Sequence, residues 1–266
     1  MLTRDAVERG LATRVVGRPL EVHGAVGSTN DLVREAARAG APEGLAVLAD
    51  AQTAGRGRLG RPWVSPAGVN VYLSVLLRPD LPAPAAPRLT LLGGVAVATT
   101  ALAFGLVPTL KWPNDLLLGG RKAAGVLADL ETDREGRIEH LVLGVGVNVN
   151  LDPSSLPADL APLATSFAAE LGREVDRAVV ARHLLEALDA WVDRARRDGF
   201  EPVREAWLRL SGLPGTRVAV AVGGPGANAE VVEGVAIGLG DDGALLLETP
   251  SGRRTVVSGE VTVLKR

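Results

Sequence analysis

The sequence predicts an α+β fold in which a larger domain, residues 1–212, is followed by a small β domain, residues 213–266. Apolar residues alternate along "VNVYLSVLL" and along "IEHLVLGVGVNVN", which is the spacing of half-buried strands. Residues 84–105 and 176–197 have the length and apolar spacing of helices instead. Beyond "SGLPG" the chain holds only short β-type runs and turns, which are typical of a small barrel.

The elements of the larger domain follow in order. The stretch "LEVHGAVGSTND" predicts a strand, a glycine turn and a helix over residues 30–39, and Ser28, Thr29 and Asn30 are its candidate N-cap residues. "GLAVLADAQ" predicts a strand that runs into a loop, and "TLKWPNDLLL" predicts a strand broken by Pro113. Two further strands, "AAGVLADLE" and "IEHLVLGVGVNVN", are joined by the turn "TDREGR".

The last of these strands has two unlike faces. One face is apolar and consists of Leu141, Leu143, Val145, Val147 and Val149. The other face consists of Gly144, Gly146, Asn148 and Asn150. Glycines on a strand face let another group approach the backbone closely. That group is either a helix packed on the sheet, which is the commoner arrangement, or a bound ligand.

Composition excludes several classes of function. The net charge of −2 argues against a broad nucleic-acid-binding face, which needs clustered basic residues. The absence of cysteine excludes disulfides, thiol catalysis and cysteine metal sites, and the three histidines lie far apart in the sequence. The charged start "MLTRDAVERG" lacks the apolar region of a secretory signal, so we expect a cytoplasmic protein.

One uncharged segment, Leu89 to Leu110, is 22 residues long and could span a bilayer by length alone. It contains four threonines, three glycines and Pro108, and its hydropathy is modest. We therefore predict a buried core helix and no membrane partner.

Lysine usage singles out two positions. The chain has 26 arginines but only three lysines, Lys111, Lys122 and Lys265. A chain that prefers arginine wherever any cation will do keeps lysine where a compact ammonium is needed. Lys111 and Lys122 are therefore candidate functional residues.

An Arg/Gly loop, defined here as residues 52–63 ("QTAGRGRLGRPW"), follows the second predicted strand. Three arginines and three glycines occupy the seven positions from Gly55 to Arg61. Glycines allow close approach of the backbone to a ligand, and arginines bind carboxylate or phosphate oxygens through paired donors. The loop is thus a candidate anion clamp, with a solvated loop or a nucleic-acid contact as alternatives. It matches neither a Walker P-loop nor a dinucleotide-binding fingerprint.

Two short motifs follow farther along the chain. In "KWPND", at 111–115, Asp115 could hold Mg²⁺ or orient a basic group. In "GGRKAAG", at 119–125, Lys122 lies beside glycines that would leave space for a substrate. A surface hairpin with a routine lysine is the alternative, and the scarcity of lysine weakens it.

Five motifs occur together in a fixed order: "GSTN" at 27–30, "QTAGRGRLGR" at 52–61, "KWPND" at 111–115, "GRKAAGVL" at 120–127 and "GVGVNVN" at 144–150. In this order they resemble the biotin protein ligases, the enzymes that attach biotin to a lysine of a carrier protein. The resemblance covers nearly the whole chain. It implies a mixed-sheet catalytic domain of the biotin/lipoate ligase type, followed by a small SH3-like β-barrel.

The resemblance also implies a two-step acyl transfer. Biotin and MgATP form biotinyl-5′-AMP and pyrophosphate, and a lysine of a biotin carboxyl carrier domain then takes the biotinyl group and releases AMP. Lys122 and Arg58 are the implied catalytic residues. The implied biotin contacts are Ser28, Thr29, Asn30, Gln52, Gly55, Arg56, Gly57, Arg58, Lys122 and Gly125. The implied nucleotide contacts are Arg56, Arg58, Arg61, Trp63, Lys111, Asn114, Asp115 and Asn148, and Asp115 is also the implied Mg²⁺ ligand.

Elementary chemistry agrees with these assignments. The ureido group of biotin has two N–H donors and a carbonyl acceptor, which short polar side chains can satisfy. Activation brings a carboxylate against the α-phosphate, and Lys122 could bridge these two anions. A mobile loop that closes on the reactive anhydride would also exclude water.

Partners follow from the same resemblance. "GSTN" begins at Gly27, too early for the N-terminal helix-turn-helix of many relatives, so we expect no specific DNA binding. Relatives often dimerise by pairing sheet edges, so we expect a homodimer.

Two alternatives stay open at this point. A lipoate ligase shares the catalytic fold, although the Arg/Gly loop favours biotin. A nucleic-acid-binding module with an arginine-rich loop and a small barrel is disfavoured by the net charge of −2 and by an aromatic content of 3%.

Overall fold

The computed structural model describes residues 2–222 and 230–264, and its larger sheet has seven strands. These are β1 (Leu20–Val26), β2 (Ala46–Gln52), β3 (Val71–Leu77), β4 (Pro108–Lys111), β5 (Asp115–Leu118), β6 (Arg121–Thr132) and β7 (Ile138–Val147). The strand order is β1-β2-β3-β7-β6-β5-β4. β1 is parallel to β2 and the other neighbouring strands are antiparallel, so the predicted mixed sheet is confirmed.

Helices cover both faces of this sheet. They are α1 (Arg4–Glu8), α2 (Thr29–Arg38), α3 (Pro87–Ala103), α4 (Phe167–Leu171), α5 (Arg177–Asp198) and α6 (Glu201–Ser211). α3 and α5 pack on one face, and α2 packs on the other against β2, β3 and β7. Buried side chains therefore form a main core under α3 and a smaller cluster under α2.

The alternation along β3 and β7 sorts residues between these two faces. Four apolar residues of β7 belong to the main core, namely Leu141, Leu143, Val145 and Val147, as do Val71, Leu73, Val75 and Leu77 of β3. Gly144 and Gly146 of β7 therefore face the α2 side, and so does Ser74 of β3. This arrangement leaves one face of the sheet free to build a polar site.

Most of the uncharged segment forms a core helix, as predicted, although the helix ends at Ala103 and the segment's last residues, from Pro108, belong to β4. The stretch Ala83–Ala103 is long and apolar enough to cross a membrane, but 72% of its apolar window is buried inside the protein. The helix lies close to the sheet at Gly93, where a Cβ atom would come within 2.9 Å of Val126 Cγ1. Burial against β6, β7, α5 and α6 accounts for its composition without a membrane.

The "KWPND" stretch differs from the prediction of a single broken strand. β4 and β5 are two antiparallel strands of a hairpin, and Lys111 pairs with Asp115 across its turn. Proline has no N–H to donate to a strand ladder, so Pro113 lies in the turn. Trp112 anchors the turn because its buried Nε1 donates to Gly243 O at 3.3 Å.

Three helices were not predicted. α1 and α4 are five residues long, too short for a periodic pattern to show. α6 carries the fully buried Trp207, which the sequence indicates only as a core residue.

The smaller sheet begins after α6. It consists of β8 (Arg217–Val222), β9 (Glu230–Leu239), β10 (Leu245–Thr249), β11 (Gly252–Val256) and β12 (Glu260–Val263). The strand order is β11-β10-β9-β8-β12, and all neighbouring pairs are antiparallel. The run of short C-terminal strands is therefore confirmed, and the SH3-like barrel stays a prediction.

A buried carboxylate ties the N-terminal segment to α5. Asp189, which is 8% exposed, accepts hydrogen bonds from the backbone N–H groups of Arg14, Val15 and Val16 at 2.9–3.0 Å. Asp193, one turn farther along the same helix, makes only exposed ion pairs with Arg14 and Arg197.

We expect Asp189→Ala to lower the free energy of unfolding by about 3 kcal/mol, because buried N–H groups lose a charged acceptor. Asp193→Ala, the control, should cost less than about 1 kcal/mol. Urea denaturation of both variants measures the difference, and equal losses would contradict the role given to Asp189.

Candidate active site

One cavity of about 430 Å³ opens on the α2 side of the larger sheet. Its wall combines the first turn of α2, the Arg/Gly loop, the β4–β5 hairpin, β6, β7 and the start of β12. The predicted site residues that line it are Ser28, Thr29, Asn30, Gln52, Arg56, Gly57, Arg58, Arg61, Trp63, Lys111, Asn114, Asp115, Lys122, Gly125 and Asn148. Gly55 lies behind the wall, where a Cβ atom would come within 2.6 Å of Trp63 O.

The glycine face of the sheet is occupied by two side chains from other elements. Asn30 of α2 lies over Gly144, where a Cβ atom would meet its Oδ1 at 2.2 Å. The indole of Trp63 lies over Gly146, where a Cβ atom would meet Nε1 at 2.6 Å. The glycines therefore admit both a helix and the Arg/Gly loop, and the cavity is bounded by these two side chains.

Lys122 lies at the junction of the loop and the hairpin. Its Nζ is 2.6 Å from Asp115 Oδ1, an ion pair without the alignment of a hydrogen bond, and 5.2 Å from the centre of the Trp63 ring. Gly125 is its neighbour across the bend of β6, with an added Cβ atom 3.5 Å from Nζ. The ammonium thus reaches the cavity between a carboxylate and an aromatic face.

The three arginines of the Arg/Gly loop have different partners. Arg56 donates to both carboxylate oxygens of Asp31 at 2.5 and 2.8 Å, and Arg61 donates to Glu260 at 2.8 Å. The Arg58 guanidinium instead reaches only the backbone oxygen of Gly259, at 3.3 Å. Within residues 2–222 and 230–264, no carboxylate forms an ion pair with Arg58.

Electrostatics distinguish these arginines further. The hydrogen bond with Asp31 raises the pKa of Arg56, and the one with Glu260 raises the pKa of Arg61. Burial lowers the pKa of Arg58, and the nearby carboxylates of Asp115 and Glu260 offset this loss of hydration only in part. Of the three loop arginines, Arg58 is therefore the one whose charge a bound anion would stabilise most.

Two further features concern the Arg/Gly loop and the segment that follows it. The Tyr72 phenol, whose pKa is raised by burial, donates to Pro66 O at 2.9 Å. Leu59, at the tip of the loop, has a φ of +59°, a left-handed conformation that is rare outside glycine. The tip is therefore strained while both of its flanks are tied down.

Two of the other predicted residues donate hydrogen bonds to backbone oxygens around the cavity. Asn114 Nδ2 donates to Val126 O at 2.9 Å and so ties the hairpin turn to β6. Asn148 Nδ2 donates to Thr165 O at 3.0 Å. Ser28 is the N-cap of α2 but makes no side-chain capping bond, so its hydroxyl is not used by the helix.

The sequence analysis missed several residues at this site. Asp31 and Glu260, the partners of the loop arginines, were not singled out, although Asp31 directly follows "GSTN". The wall also includes the apolar Leu156, Leu160 and Leu163, from a segment without a periodic pattern. Glu260 lies about two hundred residues from Arg61, so no local signal could pair them.

The residues present do not build a protein cage for a divalent cation. Among the residues that the structure describes, no group of three or more His, Asp or Glu side chains is arranged to hold a metal ion. Asp115, the predicted Mg²⁺ ligand, is paired with Lys122. Mg²⁺ is commonly bound through one or two carboxylates together with substrate phosphates, so Asp115 alone fits only that kind of site.

Comparison with known proteins bears on this geometry. Residues 25–148 match the Biotin/lipoate A/B protein ligase family, and residues 220–264 match the biotin protein ligase C terminal domain. The chain is 38% identical over 272 residues to the biotin–[acetyl-CoA-carboxylase] ligase of Mycobacterium tuberculosis, covering 97% of this chain and 96% of that protein. The chain belongs to the biotin protein ligase family.

Other members show the extent of the likeness. The bifunctional ligase/repressor BirA of Bacillus subtilis is 37% identical over 262 residues, covering 98% of this chain and 78% of BirA. The structure of a biotin protein ligase from Aquifex aeolicus, described as a complex with biotin and ATP, has a TM-score of 0.76 at 27% identity. That similarity covers 93% of this chain and 99% of the other. The catalytic fold predicted for this ligase is thereby confirmed.

The Asp31 carboxylate ties the Arg/Gly loop of this ligase to α2 through Arg56. Its pKa is lowered, chiefly by the hydrogen bond from Arg56, below the ordinary value of 3.8. A lowered folded-state pKa means that the ion pair stabilises the closed loop above pH 3.8 and is lost only at more acidic pH. Loop closure should therefore not change between pH 5 and pH 8.

We expect Asp31→Asn to increase trypsin cleavage after Arg56 and Arg58 at pH 8 by roughly two- to fivefold, as loss of a partly exposed ion pair allows. Mass spectrometry of the fragments identifies the cleavage sites. Asp80→Asn, which removes an exposed carboxylate paired with Arg137, is the control and should leave the rate unchanged. An unchanged cleavage rate in Asp31→Asn would refute the role given to the ion pair between Asp31 and Arg56.

Proposed function

We propose that this ligase activates biotin with ATP and transfers it to a lysine of a biotin carboxyl carrier domain. The observation that carries the proposal is a single cavity in which two cations, Lys122 and Arg58, face a polar floor of Thr29, Asn30 and Gln52. The names of the relatives support biotin as the acid and ATP as the nucleotide. The site residues predicted from the sequence remain proposed contacts.

In the first step a carboxylate oxygen of biotin attacks the α-phosphorus of ATP, and the bond to the leaving pyrophosphate breaks. Two anions must approach each other, so fixed positive charge lowers the barrier. We assign this charge to Lys122, which would leave Asp115 for the reacting oxygens, and to Arg58, which has no ion-pair partner among the described residues.

In the second step the amine of the carrier lysine attacks the acyl carbon of biotinyl-5′-AMP. The bond from that carbon to the phosphate oxygen breaks, AMP leaves, and the amine proton passes to solvent. The anhydride must be kept from water until the carrier arrives. The closed Arg/Gly loop, tied to Asp31 and Glu260, supports a shielding role.

Mg²⁺ enters this scheme as part of MgATP. When bound, it offsets the charge of the leaving pyrophosphate. Asp115 is the residue that we propose to hold it, and Lys122 would have to release Asp115 for this purpose.

We further propose that residues 1–212 are the catalytic domain and residues 213–266 a C-terminal domain that supports the Arg/Gly loop. Gly259 and Glu260 contact Arg58 and Arg61 and line the cavity, which supports a direct contribution to the site. A cytoplasmic location also remains a proposal.

A lipoate ligase and a nucleic-acid-binding module are not favoured. The matching family includes lipoate ligases, but the curated relatives carry biotin ligase or ligase/repressor names. Pyrophosphate release measured in parallel with biotin and with lipoate separates the first alternative.

We expect Lys122→Ala to lower biotin-dependent pyrophosphate release by about 100-fold or more, the usual effect of losing a preorganised transition-state charge. Arg121→Ala is the matched control, since Arg121 precedes Lys122 but pairs with Glu170 on the surface, and it should retain activity. No biotin-dependent release from folded wild-type protein would refute the proposed function. Equal activity in both variants would refute the role of Lys122.

We also propose a homodimer formed through β1, which is an edge strand of the larger sheet. An edge strand leaves backbone groups free to pair with another chain. Replacing Val22 by proline removes one of those donors and should shift the adenylate-bound protein toward the monomer. Light scattering checks the mass, and a wild-type monomer with adenylate bound would refute the dimer.

A further inference from the structure

A chain of hydrogen bonds runs behind the floor of the cavity, through residues that do not line it. Ser74 of β3 is fully buried, and its Oγ lies 2.6 Å from Asn30 Oδ1 and 2.7 Å from Thr29 Oγ1. Asp129 of β6 lies on the far side of Asn30. Neither Ser74 nor Asp129 belongs to the cavity wall, and neither has a role in the proposed reaction.

The direction of the hydrogen bonds is fixed at the Asn30 end of this network. Asn30 Nδ2 donates to Asp129 Oδ2 at 2.8 Å. An ionised carboxylate can only accept hydrogen bonds, so the amide NH₂ of Asn30 must face Asp129. The amide oxygen of Asn30 must then face Ser74, whose hydroxyl donates a hydrogen bond to it.

The second end is fixed as well. Gln52 Nε2 donates to Ser65 Oγ at 3.1 Å, and the Ser65 hydroxyl donates to Trp63 O at 2.9 Å. The Gln52 amide oxygen therefore faces Thr29 and accepts from the Thr29 backbone N–H at 2.9 Å. Both ends of the chain thus present acceptor oxygens to the two hydroxyl groups between them.

Two hydroxyl protons lie between these acceptors, one on Ser74 and one on Thr29. The Ser74 proton is committed to Asn30 Oδ1, which has no other donor among the described residues. Thr29 Oγ1 lies 3.1 Å from Gln52 Oε1 and 2.7 Å from Ser74 Oγ. The shorter contact needs the Thr29 proton, because two oxygens this close must share one and the Ser74 proton is already used. What remains free on Thr29 is a lone pair, so toward the cavity Thr29 and Gln52 present acceptors.

We infer that Ser74 and Asp129 are positioning residues that set the hydrogen-bonding polarity of the pocket floor and thereby select a ligand with N–H donors. This inference rests on the proposed function, because the ureido ring of biotin supplies two such donors. A ligand with an acceptor at the same position would meet the Thr29 lone pair. Lipoate, whose ring has no N–H group, lacks the matching donors.

The test compares biotin with its two cyclic carbamate analogues, in which a ring oxygen replaces one ureido N–H. This change removes a donor with little change of shape. Dissociation constants are measured by calorimetry on full-length wild-type protein, Ser74→Ala and Asp129→Asn. Thr100→Val is the matched control, since Thr100 is a buried hydroxyl on α3 that bonds Ala96 O and lies away from the cavity.

Wild-type protein should bind biotin more tightly than at least one carbamate by about 100-fold or more, as expected where an unmatched acceptor faces an acceptor. In Ser74→Ala the Thr29 hydroxyl is free to turn, either to Gln52 Oε1 at 3.1 Å or to an acceptor of the ligand, so this ratio should fall by about tenfold. The amide in Asp129→Asn keeps an acceptor oxygen but can also flip and present its NH₂ group to Asn30. Its affinity ratio should therefore lie between those of wild-type protein and Ser74→Ala. Thr100→Val should keep the wild-type ratio even if its melting temperature falls.

A ratio unchanged in both Ser74→Ala and Asp129→Asn would overturn the inference while leaving the proposed function intact, provided that wild-type protein releases pyrophosphate in a biotin-dependent manner. If Ser74→Ala does not fold, Asp129→Asn decides alone. Wild-type protein that binds biotin and both carbamates equally would also overturn the inference. No binding of biotin at all would instead refute the proposed function and this inference with it.

Discussion

The burial of polar side chains between α2 and the larger sheet is the constraint on which the rest of the site depends. Thr29, Asn30 and Ser74 are almost completely buried, yet none of them is charged. A buried polar group without a partner costs more than a typical hydrogen bond contributes. Each of them must therefore find a donor or an acceptor, and this requirement fixes their rotamers and the position of α2 on the sheet.

Glycine makes that burial possible. Asn30 could not lie over β7 if residue 144 carried a Cβ atom, and Trp63 could not lie over residue 146. The opposite face of the same strand packs apolar residues against α3. One strand, β7, therefore contributes to both the core and the active site. A substitution on either face can shift the backbone that the other face shares.

The three arginines of the Arg/Gly loop lie close together in the sequence but have different partners in the folded protein. Arg56 is neutralised by α2 through Asp31, and Arg61 is neutralised by the C-terminal sheet through Glu260. These two pairs hold the flanks of the loop and leave Arg58 as the cation exposed to the cavity. Glycines let the loop fold over the site, and two of its arginines form the ion pairs that attach it to α2 and to the C-terminal sheet.

The sequence by itself determined the family, the strands with their two faces, the core helix and most of the polar side chains that line the cavity, because motifs, alternation and composition are local properties of the chain. It did not determine that "KWPND" forms a hairpin turn, that Asp31 and Glu260 hold the loop, or that Ser74 and Asp129 stand behind Thr29 and Asn30. Those facts depend on contacts between distant segments, such as Asn30 with Asp129 and Arg61 with Glu260. Only the folded chain brings these groups within hydrogen-bonding distance, and only there does the need to satisfy buried polar atoms assign each of them a partner.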